Sequence, residues 1–305
     1  MDRFMIGQFG NYNSNKQKRD FKDSFYGVEA CLLKDDKEIQ KLITVANEDK
    51  FNIGIHFPLR VGGWKLRDPQ FLSKDYIIRK NSFEYMKDEL EYLKDIKPKY
   101  VLFHYPKPVL LDNSVDWKMW RFYDETEYYY ESDYTFKDFI EKSESLFSWL
   151  DEMGNKNEFI PVLELDAINK YIYDSDMLET LLSKYNRIKL CLDIGRLHMQ
   201  DKIDENFDSY KFTKRFAKYA EVIHLWNIKV TNKVEYPHFP VLPSLESEEG
   251  WADIEEYLKI IKEENTSCKI LFEHTSDVIS DEELESCYNW VNELIKNDSF
   301  NMNSQ

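Results

Sequence analysis

A chain of 305 residues with 42% hydrophobic and 15% aromatic side chains can bury a large core without a disulfide or structural metal. Its 57 acidic residues against 41 basic ones, a net charge of −16, argue against a general nucleic-acid or anionic-membrane binder, because phosphate-rich partners need a basic face. Four cysteines without CxxC spacing fit a reducing compartment, no stretch nears the ~20 apolar residues of a membrane span, and the N-terminus shows no cleavage-site pattern, so a cytoplasmic protein is expected.

The predicted elements alternate between strand and helix. Strands cover residues 4–9 and 26–32, and a helix over 37–47 follows, where Ile39, Leu42, Ile43 and Val45 recur at helical spacing. A third strand at 51–57 and a helix over 82–94 lead to a fourth strand at 100–104. A helix over 135–153, with Phe136, Phe139, Ile140, Leu146, Phe147 and Leu150 at helical spacing, leads to a fifth strand at 159–164. Helices over 176–185, 208–218 and 251–264 precede strands at 188–193, 221–225 and 269–273. A helix over 281–295 closes the pattern before a polar tail, 296–305, that is expected to fray. One α/β domain over 1–305 is expected.

Six of these apolar strands stop at a residue that can bind a metal: His56, His104, Glu164, Asp193, His224 and Glu273. Short apolar runs between helices read as parallel strands covered on both faces. In an open doubly wound sheet only the strands at the switch point converge on one site. In a (β/α)₈ TIM barrel all strand ends ring one mouth, so six consecutive endings can serve one centre, and the barrel is the expected fold. Three strand-to-helix connections are long, near 58–81, 105–134 and 227–250, and loops of ~20 residues usually do something, such as covering an active site. The second holds Trp117, Trp120, Phe122, Tyr123, Tyr128, Tyr129 and Tyr130, rings that either stack on sugars or pack the loop onto the barrel.

Glu164, Asp193, His224 and Glu273 form an oxygen-rich, mixed ligand set suited to one divalent ion, Mn²⁺, Co²⁺, Mg²⁺ or Zn²⁺. Such an ion polarises a carbonyl and stabilises an enediolate, while a neighbouring carboxylate takes the proton from the adjacent carbon. Glu164 and Glu273 are the candidate acid/base pair for 1,2-proton transfer or inversion next to a carbonyl. His56 and His104 either bind substrate hydroxyls or hold a second ion bridged through Glu164, which shifts the chemistry towards hydrolysis. A lone strand-end His is more often structural, but two on neighbouring strands of the ring point to the site.

The order Glu164, then Leu192-Asp193-Ile194-Gly195, then Val222-Ile223-His224-Leu225-Trp226-Asn227, then Leu271-Phe272-Glu273 resembles the xylose-isomerase-like superfamily of TIM barrels. That group includes sugar isomerases, epimerases of the tagatose-epimerase kind, and the endonuclease IV DNA repair enzymes. The resemblance covers residues 4–295 as fold, and implies that Glu164, Asp193, His224 and Glu273 are metal ligands, with the two Glu as acid/base residues in an epimerase. Two departures stand out. Both subfamilies usually carry a His three residues after the Asp, where this chain has Arg196, which clamps a hydroxyl, carboxylate or phosphate instead of ligating. The Asp-x-His pair of endonuclease IV is replaced by Tyr236-Pro237-His238, so a three-zinc centre is incomplete.

His238, in a long connection on the active-site side, is expected to face the pocket with Arg196, His56 and His104 as substrate-binding residues. His198 is expected at the surface or at a helix start, His274 to point away from Glu273 by strand alternation, and Lys229 to be a solvated loop lysine. No Gly-rich phosphate cradle is visible; Gly62-Gly63 is weak evidence for one. The reading these residues favour is a metal-dependent sugar or hydroxy-carbonyl isomerase or epimerase with a small carbohydrate substrate. The alternatives are a di- or trinuclear hydrolase of the endonuclease IV type and a non-catalytic sugar-binding barrel. Nucleic acid and membrane are not expected partners, whereas association into a homo-oligomer is compatible with the aromatic loops.

Overall fold

In the computed structural model, residues 1–63, 66–122 and 124–296 are described. Tyr123 of the aromatic connection and the tail from residue 297 lie outside the described residues. Twelve strands occur among the described residues: β1 (Phe4–Phe9), β2 (Gly27–Cys31), β3 (Asn52–His56), β4 (Tyr100–Tyr105), β5 (Val109–Leu111), β6 (Tyr128–Tyr130), β7 (Ile160–Leu165), β8 (Lys189–Asp193), β9 (Ala220–Leu225), β10 (Asn227–Val230), β11 (Val234–Phe239) and β12 (Lys269–Phe272). Eight of them close a parallel barrel in the order β1-β12-β9-β8-β7-β4-β3-β2, which is the (β/α)₈ TIM barrel expected from the strand endings. The α-helices are α1 (Ser14–Asp20), α2 (Asp36–Asp49), α3 (Tyr76–Leu93), α4 (Phe136–Asn157), α5 (Lys170–Tyr173), α6 (Met177–Lys184), α7 (Ile194–Ile203), α8 (Ser209–Phe216), α9 (Ile254–Glu264) and α10 (Asp281–Ile295). None is long and apolar enough to cross a membrane.

Strand alternation separates two cores. Outward residues such as Leu163, Leu190, Ile223 and Ile270 pack under the helices. Inward residues Met5, Tyr100, Leu102, Val162, Cys191, Val222 and Leu271 fill the barrel below the mouth. Gly54 makes room for the largest of them: a Cβ there would lie 2.3 Å from the Tyr100 ring, whose hydroxyl donates to Glu29 at 2.6 Å.

The long connections carry structure that periodicity does not reveal. The connection after β4 forms the two-stranded β5–β6 sheet, and that after β9 forms the antiparallel β10–β11 hairpin. Helix α3 starts six residues before the predicted 82, because the Asp75 carboxylate accepts from the amides of Ile77 and Ile78. Helices α1 and α7 were not expected. Helix α7 follows β8 directly: Asp193 caps it, accepting from the Arg196 amide at 3.0 Å, and so both ends a strand and starts a helix. His198 consequently lies buried inside α7, not at the surface or a helix start, with its Nε2 3.0 Å from the Gly250 carbonyl. Of the aromatic connection, Trp117 and Trp120 are buried in a small cluster with Val109, Leu111 and Ala167, and Trp120 also borders a cavity at the mouth.

Candidate metal centre

A period of two continues the barrel interior into the mouth. Above Leu102, Val162, Cys191, Val222 and Leu271 come His104, Glu164, Asp193, His224 and Glu273, each two residues further along its strand. Register sets neighbours: His104 pairs with Glu164 across β4–β7, and Asp193 with His224 across β8–β9. His56 joins from the end of β3. Glu164 and His224 are fully buried, whereas the Glu273 side chain is 31% exposed and is the carboxylate open to solvent.

The six side chains fall into two groups that meet at Glu164. In one, His56 and His104 bring their Nε2 atoms to 3.1 and 3.2 Å from Glu164 Oε2. In the other, Asp193, His224 and Glu273 approach one another, with His224 Nδ1 3.1 Å from Glu273 Oε2 and 3.8 Å from Glu164 Oε2. Each group is compact enough to hold an ion.

Four buried atoms here make no well-formed hydrogen bond, only ionic contacts: Glu164 Oε1 and Asp193 Oδ2 lie 3.4 and 3.2 Å from Arg196 Nε, and His224 Nδ1 and Glu273 Oε2 face each other at 3.1 Å. One comes from each predicted metal ligand. Three buried carboxylates whose hydrogen bonding is incomplete, converging with an imidazole, form a cluster that a bound cation would satisfy. The donor set, three carboxylates and an imidazole, fits a divalent cation.

Protonation follows the same crowding. Burial pushes Asp193 up to about 6, opposed by Arg196 and reinforced by Glu164 and Glu273. For Glu164 burial also acts upward, but Arg196, His104 and His224 reverse it and hold the carboxyl well below its usual range. Burial is likewise overcome at Glu273, where His224 brings the carboxyl to about 2. Burial disfavours the charged form of His224 and His104, yet surrounding groups raise both: the Cys191 thiol and the carboxylates of Glu29, Glu273 and Glu164 for the first, the carboxylates of Asp68 and Glu164 for the second. A divalent ion held by these residues would supply positive charge in place of the protons it displaced from the imidazoles. His56 goes the other way, lowered by burial and by Arg67, and stays neutral.

Arg196 points into the cluster. Its Nε lies 3.2 Å from Asp193 and 3.4 Å from Glu164, and its Nη1 2.9 Å from Asp166. His238 also faces the mouth, with Nδ1 2.9 Å from the Glu273 carbonyl and its ring stacked on Trp226 at 4.2 Å. The hairpin holds it there with left-handed backbone at Tyr236 (φ 51°) and His238 (φ 55°), a conformation non-glycine residues adopt at a cost. His274 is buried between Phe272 and Tyr288 rather than against the ligands, and Lys229 pairs with Glu249 on the hairpin.

Five further charged residues at the mouth escaped the sequence reading. Glu29 lies 3.3 Å from His224 Nε2, Asp68 2.8 Å from His104 Nδ1, and Lys107 2.8 Å from Asp166. The fifth, Arg67, stacks its Nη2 3.1 Å from both His56 ring nitrogens. Alternation carries a signal for two of them: Glu29 interrupts a buried strand, and Asp166 stands two residues beyond Glu164. The loop residues Arg67, Asp68 and Lys107 have none.

No protein-family model matches the chain, and no curated protein does. Solved structures do. A D-tagatose 3-epimerase-like protein superposes with a TM-score of 0.63 at 15% identity, over 96% of this chain and all of the other (100%). A Thermus thermophilus protein soaked with zinc chloride gives 0.59 at 15% identity, over 96% and 98%. An AP endonuclease of family 2 from Brucella melitensis gives 0.57 at 12% identity, over 93% and 97%. The chain shares the (β/α)₈ barrel fold of these structures. At such low identities the likenesses show the fold alone and leave the reaction to the site itself.

Proposed function

We propose that the chain is a divalent-metal-dependent isomerase or epimerase acting on a small sugar or related hydroxy-carbonyl compound. The convergence of Glu164, Asp193, His224 and Glu273, each with a buried atom that lacks a well-formed hydrogen bond, carries the reading. An ion held by these four residues supplies Lewis-acid polarisation of a substrate carbonyl. Glu273, ionised and open to the cavity, accepts the proton from the carbon beside that carbonyl. Glu164, reaching the centre from β7, returns a proton at that carbon or its neighbour. Arg196 restrains Glu164 and Asp193 and offers its remaining N–H groups to a substrate oxygen. The epimerase-like structural neighbour supports this chemistry.

The second reading is a two-ion hydrolase, favoured by His56 and His104, whose Nε2 atoms both face Glu164 as a second ligand group. In this reading Glu164 would serve both ligand groups, and Arg196 stands where a third ligand set would need an imidazole.

Elemental analysis and solvent deuterium exchange separate the two. Metal-loaded protein is incubated in D₂O with ketopentoses, ketohexoses and their phosphate esters, and deuterium at carbon is read by NMR. One ion per chain, with exchange that Glu273→Gln abolishes, supports the isomerase. Two ions and cleavage of a phosphodiester without exchange support the hydrolase, and neither ion nor exchange refutes both.

A further inference from the structure

Two cavities, of about 580 and 660 Å³, flank the ligand cluster, and Arg67, Arg196 and His238 line both. Their volumes suit small-molecule ligands. They differ in how their cations are balanced. In the first, Lys107 pairs with Asp166 at 2.8 Å and Asp68 at 3.3 Å, and Arg196 with three carboxylates. In the second, which opens onto His56 and Glu273, Arg19 pairs with Asp281 and Asp20, but Arg67 and Lys16 make no ion pair among the described residues.

Arg67 contacts neutral groups instead, the His56 ring and, at 3.5 Å, the Cys31 thiol; its Nε is buried without a hydrogen bond, and Asp68 and Glu164 act on it at longer range. Lys16 Nζ touches the His274 carbonyl at 3.5 Å, and burial draws its pKa down despite Asp20, Glu273 and Asp277 at longer range. A half-buried cation with no ion pair is incompletely compensated. Two of them lining one cavity, beside a substrate site, offer N–H donors and positive charge to an anionic ligand, although Asp20, Glu29, Glu273 and Asp277 line it too. A carboxylate balances one of them, whereas a phosphate monoester, with a charge of about −1.5 to −2 at pH 7, balances both. The guanidinium fork also matches phosphate oxygens two at a time.

We propose that the substrate carries a phosphate monoester, bound in the second cavity by Arg67 and Lys16. This rests on the mouth being a substrate site, and it places the anionic end beside His56 and Glu273 with the reacting carbons over the ligand cluster. Side-chain cations do here what a glycine-rich cradle does elsewhere.

The test uses the full chain freed of metal by chelation, so that its outcome does not depend on the metal-centred reading. Inorganic phosphate and acetate are titrated by calorimetry. Wild type is expected to bind phosphate in preference to acetate. Arg67→Gln should weaken phosphate at least about tenfold and Lys16→Gln severalfold, while Arg67→Lys, which keeps the charge but loses the fork, falls between wild type and Arg67→Gln. Arg121→Gln, an exposed residue of the first cavity, should change nothing. Thermal melts check folding; if Arg67→Gln does not fold, the Arg67→Lys and Lys16→Gln pair carries the comparison. No phosphate binding by wild type, equal binding by the Arg67 and Lys16 variants, or acetate binding as tight as phosphate overturns the proposal. Metal stoichiometry, measured separately, is the outcome on which the isomerase reading stands or falls.

Discussion

Asp193→Asn separates the metal role of this carboxylate from its structural one. Asp193 Oδ1 accepts the Arg196 amide at the start of α7, a cap that Asn supplies about as well, whereas Oδ2 faces the cluster with no well-formed hydrogen bond and only the Arg196 guanidinium 3.2 Å away. The variant should therefore fold with its helix intact and lose a ligand. Metal at ~100 times its dissociation constant stabilises the folded chain by about 2.7 kcal/mol. With an unfolding entropy of about 2.1 cal/mol/K per residue, roughly 0.64 kcal/mol/K for 305 residues, that raises the melting temperature by about 4 °C. If losing one ligand weakens binding ~100-fold, the same metal concentration equals the new constant, the gain drops to about 0.4 kcal/mol, and the shift shrinks to about 0.6 °C. Scanning calorimetry with Mn²⁺, Co²⁺, Mg²⁺ and Zn²⁺ on chelator-treated protein reads both. A wild-type melting temperature indifferent to all four ions, or an Asp193→Asn shift as large as wild type, would refute the assignment of the four atoms to a metal.

Arg196→Met should strip the counter-charge from Glu164, Asp166 and Asp193 and lower the metal-free melting temperature by roughly 3–6 °C, equivalent to about 2–4 kcal/mol, with added divalent metal recovering part of the loss. Unaltered melting would show that the guanidinium does not neutralise the cluster. His198 is held below its ordinary value of 6.5 by burial, which outweighs the Gly250 carbonyl. Its contribution to stability is thus complete above about pH 6.5 and is lost as the pH falls below that towards the lowered folded value, at about 1.4 kcal/mol per unit of displacement. His198→Gln should flatten the decline of melting temperature between about pH 7.5 and 5.5, and an identical slope in variant and wild type would discount His198. Gly54→Ala puts a Cβ 2.3 Å from the Tyr100 ring and should cost about 1–3 kcal/mol in denaturant unfolding, with wild-type stability showing that the ring shifts freely.

The primary sequence by itself determined the barrel and the ring of polar side chains at its mouth, because both depend on local pattern. Continuous apolar runs, each reaching His56, His104, Glu164, Asp193, His224 or Glu273, define strand and mouth with no long-range knowledge, and the two-residue strand repeat then sets the inward face. The same alternation holds Glu29 and Asp166, although a single acidic residue stands out less than a strand ending. Tertiary structure alone decided what the ring lacks and what surrounds it. Whether an oxygen of Glu164 or Asp193 has a partner depends on side chains from four other elements. That α7 begins on Asp193 turns Arg196 into the cluster and buries His198, a consequence of a cap that helical periodicity does not register. Arg67, Asp68, Lys107 and Lys16 come from connections and a short helix whose paths are set by packing against the barrel, so their charges meet the site only once the chain has closed.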